Sequence, residues 1–102
     1  MNPNNIQEFL EKRFNKDPNF VYRRIVDECL LVPIRHQVAD LTYIYVLNPV
    51  GERIWELIDG QRRMGDIKDQ LSQEFEVSPH ELAQDLLEFL AQLEEIGSVR
   101  EA

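Results

Sequence analysis

The dipeptide Asn48-Pro49 divides this chain into two kinds of apolar pattern. Ahead of it, residues 21–26, 29–34 and 42–47 form runs rich in β-branched and aliphatic side chains, the composition of strands. Beyond it, apolar residues return every three or four positions, the period of helices. Asn accepts from the unpaired amides of a first helical turn, and Pro at the first helical position gives up no bond, so the change of state is expected at this dipeptide. A chain that reads as strands and then helices predicts an α+β fold.

Asp27-Glu28 separates the first two runs by the length of a tight hairpin, so they are expected to pair antiparallel. Residues 35–41 lack strong periodicity, and residues 42–47 are expected to form a third strand that is apolar on both faces. The first helix after Pro49 would bury Val50, Ile54, Leu57 and Ile58, with Trp55 to one side, and stop at Asp59-Gly60, where glycine accepts a positive φ. A second helix is expected from about 66 to 76, with Ile67, Leu71 and Phe75 on one face. The third opens at Ser78-Pro79-His80-Glu81, which supplies an N-cap serine, a proline at the first position and a glutamate at the third, and it ends before Gly97.

Near the N-terminus, Ile6, Phe9, Leu10 and Phe14 fall on one face of a short helix at 6–14, capped by Asn4 or Asn5. Residues 15–19 string together turn formers and read as a linker. The expected organisation is an arm at 1–19 and one domain at 20–100, a three-stranded antiparallel sheet followed by three helices in a winged-helix-like order. At 102 residues there is room for one hydrophobic core.

Projected at the helical period, Leu82, Leu86, Phe89, Leu93 and Ile96 share roughly 80° of arc and form a core face on the third helix. Ala83, Leu87 and Leu90 lie to one flank. The apolar surface is then wider than one packed layer requires, and Leu87 would be exposed if the helix merely rested on a sheet.

The search for chemistry returns little. Cys29 stands alone, which excludes an internal disulfide and a thiolate metal site, suits a reducing cytosol, and in an apolar strand reads as a small core residue. His36 and His80 are far apart and lack the partners of a metal site, so surface histidines are expected. The four glycines, at 51, 60, 65 and 97, match no phosphate loop. The start MNPNNIQEFLEKRF has no basic patch followed by an apolar run, and no stretch nears 18 apolar residues, so a cytoplasmic chain without membrane spans is expected.

Nineteen acidic against eleven basic side chains give a formal net charge of −8, which repels phosphate backbones. A DNA-reading winged helix would present cations on its recognition helix. Residues 79–96 carry Glu81, Asp85, Glu88, Glu94 and Glu95 and no Lys or Arg, leaving Arg62-Arg63 as the only support for that alternative.

Several short motifs stand in order at consistent spacing: Leu47-Asn48, Ile54-Trp55, Asp59-Gly60, Asp66-Ile67, Leu71 to Phe75, then Asp85, Phe89-Leu90, Leu93 and Gly97. Together, over about residues 20–100, they resemble the PqqD family. The resemblance implies a small winged-helix-like peptide chaperone, a RiPP recognition element without active site or cofactor. Such a domain binds the leader of a ribosomally made precursor peptide and presents it to a modifying enzyme, commonly of the radical S-adenosylmethionine type. Members committed to pyrroloquinoline quinone tend to carry Pro-Glu-Gly before the Leu-Asn motif. Here residues 32–42 are longer and have no such triplet, so the general role is implied more than that product.

Independently of the resemblance, an unpaired sheet edge can accept an extended peptide as an added strand. The expected binding set is Tyr43, Ile44, Tyr45, Val46 and Leu47, with Ala83, Leu86, Leu87 and Leu90 of the third helix as a second wall. A homo-oligomeric protein-protein adaptor that uses this surface to hold a protein partner or a second copy of itself, as in a homodimer that exchanges the arm or pairs this edge, is the remaining alternative.

Overall fold

The computed structural model describes residues 5–34 and 45–102. They run α1 (Asn5–Leu10), β1 (Phe14–Lys16), β2 (Phe20–Ile25), β3 (Glu28–Pro33), β4 (Tyr45–Leu47), α2 (Pro49–Leu57), α3 (Met64–Glu74), α4 (Pro79–Glu95) and β5 (Val99–Glu101). The α+β class is as expected, with β2-β3-β4 forming an antiparallel sheet ahead of three helices.

The hairpin turn falls one residue earlier than Asp27-Glu28. Ile25 pairs with Glu28, so Val26 and Asp27 make the turn and Glu28 starts β3. In that register Cys29 and Leu31 face the core while Leu30 lies on the other face. Val26 consequently takes φ +56°, a conformation that a β-branched side chain rarely adopts. β4 then pairs with β3, setting Leu47 opposite Cys29, Val46 opposite Leu30 and Tyr45 opposite Leu31.

Local chemistry places the helix starts. Asn48 Oδ1 accepts from the Gly51 amide at 2.7 Å, and Ser78 Oγ from the Glu81 amide at 3.2 Å. α3 begins ahead of Asp66 because the carboxylate of Asp66 accepts from the Arg63 amide at 2.9 Å, which makes Asp66 the third helical residue. At Gly97, with φ +82°, the chain leaves α4, and the Ser98 amide reaches back to the Leu93 carbonyl at 3.0 Å.

The core gathers Leu31 and Leu47 from the sheet, Ile54, Trp55, Leu57 and Ile58 from α2 and its cap, Met64, Ile67 and Leu71 from α3, and Leu82, Leu86, Leu90 and Leu93 from α4. Trp55 is buried in the core rather than set aside, and Lys16 from β1 lies over its ring with the ammonium 5.2 Å from the centroid.

The N-terminal segment departs most from expectation. The helix ends at Leu10, and Phe14, expected to lie on it, sits in β1 with its ring buried 6.3 Å from that of Phe9. The stretch read as a linker begins within β1, which pairs with β5, a strand that was not expected. Asn15 Oδ1 lies only 2.0 Å from where a Cβ on Gly60 would stand, so β1 seats on the turn between α2 and α3. The Asp17 carboxylate accepts from the Asn19 amide at 2.7 Å and from Arg100 at 2.6 Å, the second bond tying the segment after β1 to β5.

Candidate functional site

β4 pairs with β3 on one side, and among the described residues no strand lies on its other side. Tyr43 and Ile44 fall outside the described residues. Of the rest of the expected strand, Leu47 is buried in the core, Val46 stands 55% exposed on the outer face, and Tyr45 turns toward α4. Its ring meets Phe89 edge-on with centroids 5.9 Å apart, and its hydroxyl donates to Gln92 Oε1. Burial holds the Tyr45 phenol above its ordinary pKa.

The side of α4 that meets β4 is therefore built from Phe89 and Gln92. Ala83, Leu86 and Leu90, expected in the second wall, are buried in the core at 6%, 0% and 1% exposure. Leu87 and Leu90 face α1 across a cavity of about 300 Å³ that Glu8, Phe9, Lys12 and Phe14 close from the other side. The structure thus brings Tyr45 together with Phe89 and Gln92, while Leu87 and Leu90 stand against the N-terminal arm. A signal for Phe89 was present in the sequence. It is flanked on the helical surface by Asp85 at i−4 and Gln92 at i+3, polar residues that mark the border of the apolar stripe.

Past the C-terminal end of β4, a second cleft of about 370 Å³ lies between α2 and α4. Asn48, Val50, Gly51 and Ile54 line it on one side, and Val77, Leu82, Asp85 and Phe89 on the other. Gly51 matters to its shape, since a Cβ there would come within 3.3 Å of the Phe89 ring. Phe89 borders both the edge of β4 and this cleft, which makes them one continuous surface.

Several other polar groups are tied into the fold. Tyr22 donates to Glu52 and lies 3.4 Å from Cys29 Sγ, while Arg24 pairs with Glu52 at 2.6 Å, fastening the hairpin to α2. The bond from Tyr22 holds the Glu52 carboxyl below its ordinary pKa. Cys29 is buried and His80 exposed, and His36 lies outside the described residues. Among the described residues no group of three His, Cys, Asp or Glu is placed to hold a metal ion. Arg62 bonds Asp59 at 2.8 Å, and Arg63 bonds Glu11 at 3.0 Å and Asp66 at 3.3 Å, so both arginines are engaged within the chain. No described helix is long and apolar enough to cross a membrane.

Comparison with known proteins adds two likenesses. A family model described as coenzyme PQQ synthesis protein D (PqqD) matches residues 28–99, from the start of β3 to the start of β5, and so includes β4, Phe89 and the α2–α4 cleft. A solved structure described as TbiB1 in complex with the TbiA(beta) leader peptide is similar with a TM-score of 0.69 and 26% identity. The likeness covers 84% of this chain and 94% of that one. No curated protein sequence matches.

Proposed function

This chain belongs to the PqqD family, and from that premise we propose that it is a non-catalytic peptide-binding chaperone of ribosomally synthesised, post-translationally modified peptides. It takes the leader of a precursor peptide as an added strand on the open edge of β4 and presents the precursor to a modifying enzyme of the radical S-adenosylmethionine type. The observation that carries this reading is the edge of β4 that no described strand pairs, beside Tyr45, Phe89 and Gln92. The similar fold of TbiB1, described in complex with a leader peptide, supports it.

Backbone bonds to β4 would supply affinity, and side chains alternating along the peptide would supply selection, one set over Phe89 and the other continuing the outer face beside Val46. Burying about 300 Å² of apolar surface contributes about 7 kcal/mol before entropic costs, which suits a complex that must release its cargo. In this reading the chemistry belongs to the partner enzyme. The cation-free surface of α4 fits an extended peptide better than nucleic acid.

The test is a fluorescence anisotropy titration with a synthetic leader segment of a candidate precursor peptide, in two forms N-methylated at alternate residues. Strand addition requires that one methylation register abolish binding and the other retain it. Equal tolerance of both registers would refute pairing through the backbone.

A further inference from the structure

The cleft between α2 and α4 has features that β4 alone does not explain. Its walls are aliphatic and aromatic, with Ile54 and Leu82 buried at 3% and 1% exposure beneath Val50, Val77 and Phe89. Its volume of about 370 Å³ falls in the range of preformed ligand sites. It opens where β4 ends, so a peptide paired along β4 and continuing past Leu47 runs over its mouth.

Among the described residues, one charged group lines this cleft. Asp85 contributes to the wall, forms no ion pair among the described residues, and has Glu81 and Glu88 on the same helix with no Lys or Arg on α4 to neutralise them. A carboxylate at the border of a low-dielectric apolar cleft attracts a cation more strongly than one in open water and disfavours an anion to the same degree.

We infer that this cleft holds a bulky apolar side chain of the bound peptide, and that Asp85 selects a lysine or arginine beside it. The ligand is thus a peptide with a Leu-, Ile- or Phe-type anchor adjoining a basic residue. This inference rests on the peptide-binding reading and specifies which peptides satisfy it. The net charge of −8 acts in the same direction, raising the encounter rate of a cationic segment and making it sensitive to salt.

The experiment is selection of a random peptide library displayed on phage against the full chain and against its Asp85→Lys variant. Asp85 is exposed on a helix surface, and circular dichroism of the variant verifies its fold before selection. Against the wild type, enriched sequences should share a large apolar residue with Lys or Arg within two positions. Against Asp85→Lys that position should change to Asp or Glu. For a synthetic copy of the best wild-type peptide, Asp85→Asn should weaken binding about fivefold at low salt, and the loss should shrink at 0.5 M salt. Enriched peptides without a basic residue, or the same enrichment from both proteins, would overturn the inference and leave strand addition standing. Failure to enrich any peptide would overturn both.

Discussion

Tyr45 and Phe89 meet edge to face with their ring centroids 5.9 Å apart, and the Tyr45 hydroxyl extends the contact to Gln92. The pair joins edge strand β4 to the long helix α4 at the place where an added strand would lie. Truncating Phe89 removes both the aromatic contact and the wall shared with the α2–α4 cleft. Phe89→Ala is expected to lower stability by about 2 kcal/mol and leader affinity at least tenfold. Tyr45→Phe, which keeps the ring and loses the hydroxyl, should change affinity less than threefold. Urea unfolding and anisotropy titration measure the two quantities.

Leu87 separates the two sides of α4. It is half-buried and turned to α1, so Leu87→Glu puts a charge against Phe9 and Phe14 and away from β4. The expected result is a loss of about 2 kcal/mol in urea unfolding with leader affinity of the folded protein unchanged. A specific loss of affinity at unchanged stability would place the peptide on the arm side of α4.

The hairpin carries strain that a substitution can relieve. Val26 holds φ +56° while 86% exposed, so its side chain gains little from packing. Val26→Gly removes the steric conflict and should raise stability by about 1 kcal/mol, seen as a higher urea midpoint at unchanged slope.

Acid should unfold the protein through its paired carboxylates. Bonds from Arg53 and then Gln70 hold Glu74 at about 2, against an ordinary value of 4.5. Asp17, Asp59 and Asp66 also lie below their ordinary values, mainly through the Asn19 amide, the Arg62 amide and the Arg63 side chain respectively. Each is depressed in the folded state, so across that window the unfolded chain binds more protons. Stability is complete above about pH 4.5 and falls as pH drops toward 2. Thermal melts from pH 7 to 2 should follow this course, and Glu74→Gln should flatten the lower part of the curve. A melting temperature independent of pH over that window would contradict the assignment.

What could be read from the sequence was local. Asn48-Pro49 and Ser78-Pro79 announce their helices because the cap and the first turn lie within four residues of one another, and both caps form. The hairpin and the order of the helices follow from periodicities that adjacent residues carry. The β1–β5 pair was not legible, since each strand has three residues and the tie between Asp17 and Arg100 spans 83 positions. The packing around the expected site residues was legible in part. Helical projection groups Leu87 with Leu90, but it does not say which neighbour covers them, and here α1 does. It also put Phe89 wholly in the core, whereas the ring sits at the border where core, edge strand and cleft meet.

The central claim is that a leader peptide adds to the open edge of β4, and hydrogen exchange of the backbone amides tests it most directly. With a candidate leader peptide bound, amide exchange should slow within Tyr45–Leu47, and the signals of Phe89 and Gln92 should shift with the same saturation. Protection confined to Glu8, Leu87 and Ala91, with β4 exchanging as in the free protein, would contradict it.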